Sequence, residues 1–181
     1  MSIPLSTTRM DLTPVCQQVV AELEVVYPKG HLQFEAKGDL VGEWDSDRLN
    51  QVMSNLVANA LQHGEPPVKV LAEGQDDAVI VQVHNAGQQI SESALKNIFE
   101  PMVRERGENG RDKNASGLGL GLYIAREVVT AHGGTLEVVS TAKGGTTFTM
   151  QIPRHFKKRH TDRAAIKPGG VSRGEATHGL G

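Results

Sequence analysis

Between Asp112 and Leu122 the chain reads Asp-Lys-Asn-Ala-Ser-Gly-Leu-Gly-Leu-Gly-Leu, so Gly117, Gly119 and Gly121 alternate at the mouth of an apolar helical pattern, Leu122 to His132. Glycine inside a helix costs about 1 kcal/mol relative to alanine, and three where a helix begins call for a compensating reason. A bound phosphate would supply it. Without Cβ atoms the backbone N–H groups close on an anion, and the orphan donors and positive dipole end of the helix point at the same place. A flexible hinge or a tight helix contact would use the same residues. A second candidate is Asn55-Leu56-Val57-Ala58-Asn59, two asparagines four apart on one helical face. Asparagine competes for backbone hydrogen bonds, so a pair flanked by apolar residues suggests a polar cleft beside the core, two solvent-facing side chains being the plainer alternative. An amide oxygen can ligate Mg²⁺, which otherwise keeps waters and takes nucleotide phosphates. Further on, Val83-His84-Asn85-Ala86-Gly87 ends a strand with a polar residue and a glycine, as a simple turn also would. Phe99, in Asn97-Ile98-Phe99-Glu100-Pro101, would ordinarily be core.

The elements that must position these residues follow from periodicity. Leu12, Val15, Cys16, Val19, Val20, Leu23 and Val26 recur at helical spacing from Asp11 to Tyr27, with Asp11 as cap and Pro28 as stop. His31 to Ala36 and Leu40 to Trp44 read as short strands joined by a Lys37-Gly38-Asp39 turn, a plausible hairpin. Asp45 to His63 is the longest helical pattern, with Leu49, Val52, Met53, Leu56, Val57, Ala60 and Leu61 as its stripe. Val68 to Glu73 and Ala78 to His84 are β-branched runs about a turn, and Ser91 opens a short helix to Phe99. Pro101 to Ser116 has little periodicity and carries Arg104, Arg106, Arg111 and Lys113; such a segment reads as a lid or as disorder. Thr135 to Ser140 and Thr146 to Ile152 form a last pair of strands. Strands and helices do not alternate strictly, which disfavours a parallel doubly wound sheet and favours a mixed or antiparallel sheet with helices on one face.

The 181 residues, 38% of them hydrophobic, fit one soluble domain. No apolar run reaches the roughly 18 residues of a membrane span, and the start lacks a charged region followed by an apolar one, so a cytoplasmic protein is expected. The single cysteine, Cys16, excludes an internal disulfide and reads as a buried structural thiol. From Arg154 to Gly181 seven Lys/Arg stand against two Asp/Glu with almost no apolar periodicity, a basic tail expected to be disordered. The remaining body is correspondingly acidic, which argues against nucleic acid as a partner.

Taken in order, the asparagine box, the Asn-x-Gly turn, Phe-Glu-Pro, the lid segment, Gly-x-Gly-Leu-Gly-Leu and the closing Gly144-Gly145-Thr146-Thr147-Phe148 resemble the ATP-binding catalytic domain of sensor histidine kinases. That family belongs to the wider group of DNA gyrase, the large heat-shock chaperones and the mismatch-repair ATPases. The resemblance runs from Asp11 to Pro153, leaving residues 1–10 as an N-terminal segment and 154–181 as the tail. It implies an α+β fold, a two-layer α/β sandwich with a mixed, largely antiparallel sheet, holding ATP between the asparagine helix, the glycine turns and a mobile lid. Carried over residue by residue, it makes Asn59 the Mg²⁺ ligand and places Asn55 where hydrolysing relatives carry a glutamate base. An amide cannot take a proton from water, so the site suits transfer better than hydrolysis, with Asn55 and Asn59 as its catalytic pair. His63 matches a position close to the nucleotide, or else a capping or packing histidine; Gln62 stands where many relatives have Lys or Arg.

Asn85 falls at the adenine-reading aspartate of the family, with Gly87 letting the base approach and Ile90 completing that wall. Asparagine accepts a hydrogen bond more weakly than a carboxylate, so weaker nucleotide binding is expected; Gln89 replaces a glycine usual in that box. Arg104 is expected to reach the phosphates, cradled by Gly117, Gly119 and Gly121, while Leu118 and Leu120 fasten the loop to the core. Thr146 lies on the adenine side, or is a plain strand residue. None of the seven histidines is followed by Asp or Glu, the usual mark of the family's phosphoacceptor. The resemblance thus implies a catalytic half acting on a histidine-bearing dimerisation domain, with a response regulator downstream. An anti-sigma-type serine kinase and a non-catalytic ATP-sensing module are the competing readings.

Overall fold

The computed structural model describes residues 3–101 and 118–155. Strand β1 (Thr8–Asp11) leads into α1 (Leu12–Val26), where the Asp11 carboxylate accepts from the Thr13 N–H at 2.8 Å and starts the helix. Leu12, Val15, Cys16 and Val19 face inward at the expected spacing. Burial, reinforced by the Asp11 charge, pushes the Cys16 thiol up to about 12, which leaves it an inert packing group. α2 (Ser46–His63) buries Leu49, Val52, Met53, Leu56, Val57 and Ala60, and α4 (Leu118–Ala131) lies beside it. Between them in sequence come β4 (Glu65–Gly74), β5 (Ala78–Ala86) and the single-turn α3 (Glu92–Lys96); β6 (Thr135–Thr141) and β7 (Gly145–Pro153) close the fold.

Five strands make one mixed sheet in the order β2-β4-β5-β7-β6, where β2 is Gln33–Lys37. β2 runs parallel to β4 and every other pair is antiparallel. Alternation assigns the faces: Val68, Val70, Ala72, Val79, Val81, Val83, Phe148, Met150 and Ile152 are buried under the helices. Lys69, Glu73, Gln82 and Gln151 fall on the opposite register. The fold is therefore the two-layer α/β sandwich expected. No helix among the described residues is long and apolar enough to cross a membrane.

Three local expectations are corrected. The segments around the Lys37-Gly38-Asp39 turn do not form a hairpin: β2 pairs Phe34 with Val70 and Ala36 with Ala72, whereas β3 (Val41–Trp44) turns away to pair with β1 in a separate ribbon. Phe34 packs partly buried beside β4, while Trp44 is buried in the core. The helix expected from Leu122 already starts at Leu118, so Gly119 and Gly121 lie inside its first turn. Arg154, counted with the tail, is part of the folded body. Its guanidinium donates to the carbonyls of Val41 at 2.6 Å, Asp39 at 2.7 Å and Gln75 at 2.6 Å, tying two turns to the end of β7. The rest of the tail lies outside the described residues.

One buried polar pair carries a pH dependence. The carboxylate of Asp45 caps α2, accepting from the N–H groups of Arg48 at 3.2 Å and Ser6 at 2.9 Å, and its own N–H donates to Nε2 of His132 at 3.0 Å. Burial holds the His132 ring below the ordinary imidazole value, against the opposing pull of the Val128 carbonyl and the Asp45 carboxylate. Burial pushes Asp45 up, but the Ser6 and Arg48 N–H groups and the neighbouring positive charge outweigh it and leave the carboxyl below its ordinary value. Both groups thus bind protons more readily in the unfolded chain. Stability from His132 is complete above the unfolded value of about 6.5 and lost as pH falls below it; that from Asp45 is lost below about 3.9. The urea midpoint is expected to hold steady above about pH 6.5 and to fall in two stages below it. A midpoint unchanged from pH 7.5 to 5 would contradict the assignment of His132.

Candidate functional site

The inner ends of α2, β5 and β7 and the first turn of α4 converge on one edge of the sandwich. Asn55 and Asn59, both half-buried, lie one turn apart on α2. The amide of Asn55 donates to the carbonyl of Gly121 at 3.0 Å, so it anchors the start of α4 directly. Among the described residues the Asn59 amide has no hydrogen-bond partner, and its oxygen is left to accept or to ligate. No group of three or more His, Cys, Asp or Glu side chains able to hold a metal occurs among the described residues. A cation here would rest on a neutral amide oxygen and on oxygens brought by a ligand, a donor set that fits Mg²⁺ with phosphates.

On the opposite wall Asn85, 6% exposed, ends the inward face of β5 opposite Thr146 of β7. Its amide NH₂ donates to the Ala86 carbonyl at 2.7 Å, which turns the amide oxygen away from that carbonyl. Two glycines make room for it. A Cβ on Gly64 would overlap the Asn85 side chain, and one on Gly145, whose φ is +68°, would overlap the Asn85 carbonyl oxygen. Thr146 is buried, and its hydroxyl stands 2.8 Å from that of Ser140, which accepts from the Ile90 N–H at 2.9 Å. Thr146 therefore braces the wall through Ser140 and fixes the backbone of Ile90. Gln89 adds a donation to the Ser140 carbonyl at 3.4 Å.

Of the residues singled out from the sequence, Asn55, Asn59, Asn85, Gly87, Ile90, Gly121 and Thr146 fall at this edge. His63 is the exposed last residue of α2. Leu120 is corrected: it is 54% exposed, and the neighbouring Leu122, 4% exposed, does the fastening instead. Backbone at Leu118 and Gly119 is helical; Arg104, Gly117 and the lid lie outside the described residues. Phe99 and Phe148 pack edge to face with ring centroids 6.2 Å apart, and the Arg126 guanidinium lies over the Phe99 ring at 5.1 Å. Ser140, Asp45 and His132 escaped the sequence reading. For Ser140 the signal was present: it continues the inward register of Leu136 and Val138, where a polar side chain needs a partner.

An asparagine helix facing a glycine-opened helix over one end of a mixed sheet defines a nucleotide-binding α/β sandwich. The chain belongs to the family of histidine kinase-, DNA gyrase B- and HSP90-like ATPases, whose model matches residues 44–155. This family binds ATP. The chain is 37% identical over 145 residues to a bacteriophytochrome of Pseudomonas aeruginosa, covering 79% of this chain and 20% of that protein. It is 29% identical over 145 residues to the signal transduction histidine-protein kinase AfsQ2 of Streptomyces coelicolor, covering 80% of this chain and 26% of that one. It thus spans about a fifth to a quarter of these relatives. Among solved structures the catalytic domain of histidine kinase ThkA superposes with a TM-score of 0.68 at 28% identity, over 82% of this chain and 98% of that one. ThkA in complex with the response regulator protein TrrA gives 0.65 at 28% identity, over 83% and 42%.

Proposed function

We propose that this chain binds Mg²⁺-ATP and transfers the γ-phosphate to a histidine on a separate dimerisation domain, within two-component signalling. The observation that carries the reading is the Asn55–Gly121 hydrogen bond, which joins the asparagine helix to the first turn of α4. The N–H groups of that turn lack helical partners and favour an anion, while Asn59 offers an oxygen to a cation on the same side. When bound, Mg²⁺ neutralises phosphate charge. Asn55 lacks a carboxylate and is engaged with Gly121, so it cannot activate water; the chain's contribution is to hold and orient ATP while a partner supplies the nucleophile. The complex that ThkA forms with a response regulator supports a response regulator as the downstream partner here.

The test is to incubate the chain with labelled Mg²⁺-ATP and a supplied histidine-bearing helical domain. Acid-labile label on that domain is the expected result. Tight ATP binding with no transfer to any such domain would favour an ATP-sensing module, and acid-stable label on a serine-bearing partner a serine kinase.

Asn85 sets the strength of binding. Hydrogen bonds to an ionised acceptor are about twice as strong as neutral ones, so Asn85→Asp is expected to tighten ATP binding by roughly threefold to tenfold. The same carboxylate would face the Ala86 carbonyl without a donor, so the ligand-free variant is expected to melt lower than wild type. Calorimetric titration and a melting curve measure both; unchanged or weaker affinity would refute the role of Asn85.

A further inference from the structure

Two hydrogen bonds tie α2 to α4, one at each end of their contact. At the site, Asn55 holds the Gly121 carbonyl. At the far end, Nε2 of His132 accepts from the N–H of Asp45, the capping residue of α2, while its Nδ1–H donates to the Val128 carbonyl in the last turn of α4 at 2.9 Å. Asp45 and Asn55 are ten residues apart and Gly121 and His132 eleven, so on antiparallel helices the two ties stand about 15 Å apart with matched spans. The helix end that carries His132 is itself held: the N–H groups of Gly133 and Gly134 return to the Thr130 and Val129 carbonyls, both at 2.9 Å.

The ring is 1% exposed, and its partners fix its protonation state. A carbonyl at Nδ1 demands a proton there; an N–H at Nε2 demands a lone pair. A second proton would set two N–H groups against each other, and one of the two helix ends would have to move. The charged group acting on the ring is the Asp45 carboxylate at the head of α2, on which Arg48 acts in turn.

We propose that neutral His132 is a positioning residue for the nucleotide: it sets the register of α4 against α2, and so of Gly121 against Asn55, and its protonation releases that register. This rests on the ATP-binding reading above. The experiment compares Mg²⁺-ADP affinity from pH 7.5 to 5.0 in wild type and in His132→Gln, whose amide can donate and accept but does not titrate. ADP protonation affects both proteins equally, so the difference between them reports on His132. Wild-type affinity is expected to fall severalfold more than the variant's toward pH 5.0, as the ring takes up its second proton. In ¹⁵N-labelled wild type without nucleotide, the Gly121 amide resonance is expected to move with the same midpoint as the His132 ring.

Equal pH dependence in the two proteins overturns the proposal, as does a Gly121 resonance indifferent to the ring. A purely structural histidine would lower the variant's melting temperature and leave the two pH profiles parallel. Should His132→Gln fail to fold, the wild-type resonances decide alone. Should ADP fail to bind at any pH, the ATP reading falls, while the Gly121 resonance still tests the register.

Discussion

Alanine at position 59 is expected to abolish phosphate transfer to the supplied histidine domain while leaving the fold intact. The side chain is half-buried on α2, and among the described residues it makes no hydrogen bond, so its truncation leaves no partner unsatisfied. Alanine is also the better helix former, by about 0.5 kcal/mol, so the melting temperature should hold or rise slightly. On the proposed mechanism the Asn59 amide oxygen meets the cation, whereas Asn55 uses its NH₂ group to hold the Gly121 carbonyl. Removing one polar group that stabilises developing charge in a water-excluded site costs about 10²–10³-fold in rate. Label transfer measured at saturating ATP checks this, alongside a melting curve. Transfer within about threefold of wild type, in a variant that melts normally, would remove Asn59 from the mechanism.

The second large effect is expected on stability, at Gly145→Ala. Gly145 opens β7 with a φ of +68°, a left-handed conformation that costs an L-residue roughly 1–2 kcal/mol. Its added Cβ would overlap the Asn85 carbonyl oxygen and press on the Ala86 Cα, both backbone, which cannot swing aside as a side chain would. Relief must come from the β5–β7 ladder where Asn85 pairs with Thr146. A loss of about 3 kcal/mol is expected, or roughly 6–12 °C in melting temperature for a chain this size. Nucleotide affinity should fall with it, because Asn85 and the Thr146–Ser140 brace move together. Gly121→Ala is the control for stability, since its Cβ would meet the Asn55 amide at an ordinary 3.5 Å. Equal melting temperatures for Gly145→Ala and wild type would disprove the close packing of β7 on β5.

The long helices were legible because their signals are local. The stripe from Leu49 to Ala60 lies within a single element, and so does the four-residue spacing of Asn55 and Asn59. The hairpin expectation failed for the opposite reason. A Lys-Gly-Asp turn joins neighbours equally well whether or not they pair, and the real partner of Phe34 is Val70, far along the chain. The glycine run shows both sides. Its three glycines marked the beginning of a helix, yet Gly119 and Gly121 lie inside that helix, and the Gly121 carbonyl is held by the Asn55 amide from another element. Leu120 was expected against the core from the family resemblance, and helix rotation put it in solvent.

By itself, the amino-acid order determined the helices, the alternating faces of the strands and the neutral character of Asn55 and Asn85, because each is carried by residue type and near-neighbour spacing. Only the tertiary structure decided how these meet. Arg154 closing two distant turns, Ser140 and Thr146 bracing the wall beside Asn85, and His132 accepting the N–H of Asp45 are all contacts between separate elements. A buried polar atom must be satisfied, but which distant group satisfies it is settled by packing, and no local pattern in the chain encodes that choice.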